Sequence, residues 1–320
     1  MKKKILNIQT ILVTEAIEKQ RIDNFLTKKL KNIPKSMIYR IIRTGKIQIN
    51  KKKIKPKYKL EIGDQITIPS INITEKEIKK NTVKNIILHT KKIKNIFKNI
   101  LYEDEYLLII NKPSGIAVHG GSGINFGIIE IIRKLKPENY FLELVHRLDR
   151  DTSGILILAK KRSTLRNLHQ QLREKKIKKK YITLVHGQWP KNKNKITVPL
   201  LKTKLFNQKN IVQISEKGKQ SETQFFIKHQ YINHTLLLAT PITGRTHQIR
   251  VHTAYTGHPI VFDSRYGEKT LDLKLKNKNL KNRLLLHSYK VSFIHPYYKH
   301  NMTILAPLEK KFKKYLDLLL

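Results

Sequence analysis

Two short polar strings hold most of the reactive side chains of this chain. The first runs from His146 to Gly154 (HRLDRDTSG) and sets two acids, two arginines and a histidine within six residues. The second, Thr243 to His252 (TGRTHQIRVH), follows Pro241 and leads into an amphipathic helix. Taken singly, each is explained by a salt-bridged surface turn. Two such strings in one domain are expensive to bury unless they meet, because a charge withdrawn from water needs a partner. If they meet, an aspartate of the first and an arginine of the second form a charge pair in a cleft. His146, Asp149, Asp151 and His247 also invite a metal-dependent hydrolase, but the histidine spacing matches no standard site and no metal is expected. His119 to Gly123 (HGGSG) lacks the Lys-Ser/Thr that a phosphate-cradling loop needs. Its glycines suit a tight turn or a close backbone approach.

The first string must sit where a strand begins or ends. Apolar runs predict strands over Leu107–Ile110, Glu143–Leu148, Gly154–Ala159, Tyr181–His186, Thr223–Ile227 and Thr235–Ala239. Helical spacing is found over Ile128–Leu135 and from Ser163 to Lys175, with Leu165, Leu168 and Leu172 inward. Many strands and few helices, without regular alternation, predict an α+β domain on a mostly antiparallel mixed sheet. Tyr181 opens one strand and alternates with Thr183 and Val185, which fits a half-buried sheet tyrosine.

A separate unit precedes it. Ile22, Phe25, Leu26 and Leu30 share a helix face, and a second helix with Met37, Ile38, Ile41 and Ile42 inward stops at Gly45. A strand over Lys46–Asn50 and a stretch from Tyr58 to Ile68, broken at Gly63-Asp64 like a hairpin, complete it. Arg40, Arg43, Lys46, Lys51, Lys52, Lys53 and Lys55 fall outward around the second helix and the following turn. They are either a solvated face or an RNA contact. The boundaries expected are 17–69 for this unit, 70–98 for a linker without Gly or Pro, and 99–320 for the larger domain. Leu6 to Val13 reads as an edge strand.

At 320 residues, 39% of them apolar, the chain can build two cores, and no apolar run approaches the roughly 18 residues of a membrane span. The absence of cysteine excludes disulfides, thiolate zinc sites and a cysteine nucleophile. A net charge of +43 calls for a polyanion, nucleic acid first. Only 13 of the 66 basic residues are Arg, so the places of the arginines carry more information than the total. The basic start MKKKILNIQTILV has polar interruptions and no cleavage site, which points to the cytoplasm.

The first unit resembles the S4 RNA-binding domain, through Arg21-Ile22-Asp23, Ser36, Arg43-Thr44-Gly45, the strand with Ile47, Ile49 and Asn50, Lys55-Pro56 and Gly63-Asp64. The resemblance implies a helix-pair module that docks on structured RNA. The larger domain resembles the RluA-type family of pseudouridine synthases. HRLDRDTSG, Lys112-Pro113-Ser114-Gly115, Lys180-Tyr181, Gly218 to Thr223, TGRTHQIRVH, Gly257 to Ile260 and Asp263 to Gly267 occur in that family's order, with Phe262 where relatives often have Gly. What this implies is an isomerase that breaks the glycosidic bond of a uridine in RNA, turns the base and rejoins it through carbon 5, without a cofactor. The pseudouridine synthase fold is expected, and several uridines of large-subunit ribosomal RNA are the expected targets. The essential carboxylate falls on Asp149, as a nucleophile or as a base on the sugar, with Arg245 facing it and Asp151 capping a loop or helix. Tyr181 falls where the family stacks the flipped base. Arg147 and Arg250 flank the two strings and are expected to contact the flipped nucleotide or RNA phosphates. A non-enzymatic ribosome-assembly factor is the alternative, but it leaves the order of these motifs unexplained.

Overall fold

The computed structural model describes residues 4–6, 9–30, 33, 35–73, 98–120, 127–136, 141–204, 210–275 and 282–320. No helix among them is long and apolar enough to cross a membrane. The chain divides into two compact units, Met1–Lys91 and Lys92–Leu320.

In the first unit, β1 (Lys4–Leu6) and β2 (Gln9–Leu12) precede helices α1 (Ile22–Lys29) and α2 (Lys35–Arg43). Strands β3 (Gln48–Ile49), β4 (Lys52–Lys53), β5 (Gln65–Ile68) and β6 (Ile71–Ile73) follow. The main sheet has the order β2-β5-β3-β4, so β2 is an edge strand, and β1 pairs with β6. Ile22, Leu26, Ile38, Ile42, Ile47, Leu60 and Ile66 are fully buried between helices and sheet. The opposite side of α2 and the β3–β4 turn leave Arg40, Arg43, Lys46, Lys51, Lys52, Lys53 and Lys55 exposed. Asn50 and Lys51 both have positive φ, 51° and 61°, as a two-residue hairpin whose twist matches its strands requires. Two expectations change. The hairpin at Gly63-Asp64 is replaced by a turn into β5, which pairs with β2 and β3 because Ile66 and Ile68 must face the same core as Ile49. The strand Gln9–Leu12 belongs to this unit although it lies ahead of residue 17, and Ile71–Ile73 adds a strand inside the segment read as linker. Residues 74–97 of that segment lie outside the described residues.

In the second unit, β7 (Ile100–Glu103), β8 (Leu107–Lys112), α3 (Ile128–Leu135), β9 (Glu143–Leu144), β10 (Ser153–Ala159), α4 (Arg162–Arg173) and β11 (Lys178–His186) come first. After them come β12 (Lys195–Thr197), β13 (Leu200–Lys204), β14 (Asn210–Ile214), β15 (Glu222–Gln230), β16 (His234–Pro241), α5 (Gln248–Tyr255), α6 (Lys269–Lys274), β17 (Leu286–Ile294), β18 (Asn301–Leu305) and α7 (Lys310–Asp317). A ten-stranded sheet runs β12-β15-β16-β11-β17-β10-β8-β7, with β18 on β17 and β9 on β10. Every pair is antiparallel except β10 with β17, so the sheet is the mixed, mostly antiparallel one expected. The α+β class and the described strands of the central sheet agree with the sequence reading. The strand expected over Glu143–Leu148 stops at Leu144: Glu143 and Leu144 pair with β10, the Val145 amide still donates to Ile157 O of β10 at 3.0 Å, and the chain then departs into the HRLD loop. Of the His119–Gly123 loop, only His119 and Gly120 are described.

The parallel junction is where the reactive strings converge, and it depends on Gly154. Its φ is +106°, and a Cβ there would lie 2.2 Å from the Ser288 carbonyl oxygen of β17. At Gly115, φ is +84° but a Cβ would meet nothing within 4 Å. Gly154→Ala is therefore expected to lower the unfolding free energy by more than about 2 kcal/mol, and Gly115→Ala by only about 1 kcal/mol. Urea unfolding of both variants checks this ordering.

Candidate active site

The two polar strings meet. Arg250 Nη1 donates to Asp149 Oδ2 at 3.2 Å, while its Nε and Nη2 donate to Asp263 Oδ2 and Oδ1, both at 2.7 Å. Arg250 is 4% exposed and Asp263 fully buried, whereas the Asp149 side chain keeps 22% of its surface open to the cleft. Arg250 reaches this place because of how α5 begins. Gln248 Oε1 accepts from the Thr243 hydroxyl at 2.7 Å and the Arg245 amide at 3.0 Å, and its Nε2 donates to Glu222 O and Thr223 Oγ1, each at 2.9 Å. His247, with φ at +54°, caps the helix from the left-handed region, so Arg250 falls on the buried face.

This corrects the expected pairing. Arg245 lies in the turn ahead of α5, is exposed and donates through Nε to Gln220 O at 3.1 Å, so it does not face Asp149. Arg250, expected to contact RNA, is instead committed to Asp149 and Asp263. Its guanidinium also sits over the Tyr266 ring at 5.1 Å. Burial alone would push the Asp263 carboxyl up, but the two-pronged Arg250 contact and the amides of Arg265 and Tyr266 hold it below the ordinary carboxylate range. Asp151 turns away from the cleft, pairs with Arg150 at 3.1 Å and accepts the Ser114 hydroxyl at its main-chain oxygen.

The loop carrying Asp149 is supported from behind by groups that the sequence reading gave no role. Lys112, fully buried, donates to the carbonyls of Pro113 (3.0 Å), Ile116 (2.8 Å) and Arg150 (2.9 Å). Burial pulls its ammonium down to about 7, against three carbonyls that only the charged form can satisfy together. Arg283 donates to Glu309 and Ser153 Oγ, and Glu309 accepts the Ser114 amide at 2.8 Å. His146 Nε2 accepts from the Ile157 amide at 3.2 Å, tying the loop to β10. Phe262 has φ at +58°, a costly conformation for a bulky residue, and is held by the hydrogen bond its amide donates to Asp272 Oδ1 and by Tyr315, 4.9 Å from its ring.

Around Asp149 lies a cleft of about 440 Å³, lined among others by Arg147, Tyr181, Arg245, His247 and Arg250. Tyr181 is buried at one wall with Leu148, Ala239, Ile249 and Leu286. Burial pushes its phenol up to about 12, so it is neutral at physiological pH. His247 Nε2 is 3.8 Å from Asp149 Oδ2, and its Nδ1 is 2.8 Å from the Tyr266 hydroxyl, which also accepts the Val212 amide at 3.0 Å. Arg147 is exposed at the rim. Asp149 is the one acid in the lining among the described residues. The same residues contain no group of three or more His, Asp or Glu arranged to hold a metal ion. The arrangement therefore offers one oriented carboxylate, a buried aromatic ring and a cationic wall. Asp263, Tyr266 and Lys112 were visible only as members of short motifs. The demand of a buried arginine for a carboxylate is the signal that singles out Asp263.

Five histidines of this unit, three buried and two half-buried, are held toward the neutral form. Burial lowers His146 to about 3, and His234, His247, His252 and His287 to about 4. In the unfolded chain they protonate near pH 6.5. As pH falls from 6.5 toward 4 the unfolded state takes up protons that the folded state refuses, so stability present above that window is lost within it. The melting temperature is expected to fall steadily from about pH 6.5 to pH 4. A melting temperature that is flat or rising over that range contradicts this reading.

Comparison with known proteins bears on the same residues. The RNA pseudouridylate synthase family model matches residues 106–255, and the S4 domain model matches residues 20–66. Ribosomal large subunit pseudouridine synthase C of Buchnera aphidicola subsp. Schizaphis graminum is 59% identical over 320 residues, covering 100% of both chains. The protein of that name from Escherichia coli K12 is 49% identical over 318 residues, covering 99% of this chain and 98% of its own. Among solved structures, human RNA pseudouridylate synthase domain containing 4 has a TM-score of 0.58 at 22% identity, covering 73% of this chain and 97% of its own, and so shares the fold. With full-length relatives at this identity, and with the S4 unit ahead of the sheet that carries Asp149, the chain belongs to the RNA pseudouridine synthases, isomerases of the RluA type with an N-terminal S4 domain.

Proposed function

We propose that this enzyme converts several uridines of large-subunit ribosomal RNA into pseudouridine, with Asp149 as the reacting carboxylate and the target base flipped out against Tyr181. The names of the full-length relatives support the substrate. The observation that carries the chemistry is that Asp149 is the one acid among the described residues lining the cleft and is oriented by an arginine that Asp263 holds in place. Breaking the bond between base and sugar needs a carboxylate aimed at sugar carbon 1 or at the proton beside it, and the Arg250 hydrogen bond orients Asp149 for that role. The detached uracil turns and rejoins through carbon 5, the carbon 5 proton leaves to solvent and N1, freed from the sugar, ends with a proton taken up in its place, so the product is an isomer of the substrate.

A flipped base loses its stacked neighbours, and an aromatic plane replaces roughly 1–3 kcal/mol of that stacking. Tyr181 offers the ring. Arg147 and Arg245, exposed at the rim, are the candidates for contacts to the nucleotide. In the S4 unit, Arg40, Arg43, Lys46, Lys51, Lys52 and Lys53 form an exposed cationic face suited to the backbone of structured RNA. The cytoplasm is the compartment this substrate implies.

Asp149→Asn keeps the shape and removes the charge, so it should reduce tritium release from 5-tritiated uridine RNA by more than about a thousandfold while RNA binding stays near wild type. Asp151→Asn should stay within about tenfold. Activity of Asp149→Asn within tenfold of wild type ends the assignment, and equal loss at both positions means that the two acids act as one unit. Tyr181→Phe keeps the ring plane and should bind and turn over far better than Tyr181→Leu in variants that melt normally. Equal loss in both would assign the function to the hydroxyl.

A further inference from the structure

The cleft contains a cation that none of these steps uses. Lys179 lines it from β11, two residues before Tyr181. The register with β17 slips between Lys180 and Tyr181, but the extra residue is Tyr289 of β17, so β11 keeps its alternation and both side chains lie on one face, about 6.6 Å apart along it. Lys180, on the other face, is exposed, whereas Lys179 is partly buried. Its main chain pairs with Val291 of β17, but among the described residues its ammonium has no hydrogen-bond or ion-pair partner. Burial lowers its pKa with no carboxylate opposing the shift, and its charge helps to keep His146 neutral.

A cation withdrawn from water without a counter-charge lowers stability, and such groups collect at binding and catalytic sites. The other charges of the lining do not answer it. Asp149 is taken by Arg250, Arg250 is shared with Asp263, and Arg147, Lys175, Lys178 and Arg245 are all exposed cations. The missing partner is thus an anion brought by the ligand, and in RNA the anionic group is the backbone phosphate.

We propose that Lys179 is a substrate-binding residue that takes a backbone phosphate of the strand entering the cleft, while Tyr181 on the same strand face takes the base. This rests on the reading that the cleft receives an RNA nucleotide. Held at two points from one rigid strand, the nucleotide presents its sugar to Asp149 in a fixed orientation. Lys179 also differs from the rim cations in standing partly buried in the lining, on the strand that carries Tyr181, whereas they are exposed.

The test uses the full chain carrying Asp149→Asn, so that binding is read without reaction, and a uridine-containing ribosomal RNA fragment titrated between about 50 and 200 mM salt. Adding Lys179→Gln should weaken binding at low salt and reduce the slope of log affinity against log salt by about 0.7, the value of one phosphate contact on a single strand. Lys179→Arg should restore both. With Asp149 intact, Lys179→Gln should raise KM about tenfold and leave kcat within about threefold. Lys179→Met, which suits a partly buried position, carries the same expectation should the Gln variant fail to fold. An unchanged slope and KM, or a fall in kcat at unchanged KM in a variant that melts normally, overturns the proposal. Failure of the wild-type enzyme to form pseudouridine would overturn the proposed function while leaving the salt slope readable.

Discussion

One planar guanidinium serves two carboxylates, and the geometry of the cleft follows from that division. Arg250 gives two of its nitrogens to the buried Asp263 and one to the open Asp149. The bidentate contact fixes the plane of the fork, so the remaining nitrogen points in one direction and Asp149 is oriented by it. Without Asp263 the arginine would be a buried cation facing a single acid, free to tilt. The loop after Val261, the first turn of α5 and the HRLD loop therefore meet at one point although they are far apart in sequence. Small departures in any of them are felt at the Asp149 carboxylate, and in the proposed reaction an error of about 1 Å there is costly.

An irregular loop at a sheet's parallel junction also has main-chain groups to satisfy. Lys112, Ser114 and His146 do so at Arg150, Asp151 and Ile157, and the Arg283–Glu309 pair closes the back of the site from near the C-terminal end. Helix α7 follows directly, with Phe312 and Tyr315 buried and Tyr315 packed on Phe262. The reactive residues thus sit on a loop, while the contacts that immobilise it come from β8, β10 and the last forty residues. Lys112, Arg283 and Glu309 are thus charges used to hold main chain, not to join elements across the surface.

Much of this was legible in the sequence, and what was not has physical causes. The central strands could be read because period-two runs are local signals, whereas the choice of Asp149 within the HRLDRD string came from the family resemblance. The choice between Arg245 and Arg250 was not local. It depends on where α5 starts, and that is set by a left-handed His247 and by the Gln248 contacts to β15 and the preceding turn, none of which shows as periodicity. The strand drawn through Leu148 ended early because the pairing runs out after Val145, and Leu148 is apolar for the sake of the core. Lys112 and Lys179 were hidden by composition, since in a chain with 66 basic residues a buried lysine looks like its exposed neighbours. Strands β2 and β6 of the first unit were misjudged at its boundaries, where short pairings decide membership and leave little sequence signal.

The central claim is that Asp263 acts on the reaction only by holding Arg250, and through it Asp149. A double-mutant cycle in single-turnover kinetics with saturating RNA tests it most directly, using Arg250→Lys, Asp263→Asn and the pair. If the account is right, Asp263→Asn alone slows isomerisation strongly, but in the Arg250→Lys background it adds less than about threefold, because there is no fork left to hold. Multiplicative losses, with each variant slowing the other's rate by its full single-variant factor, would show that Asp263 acts independently of Arg250 and would contradict the account.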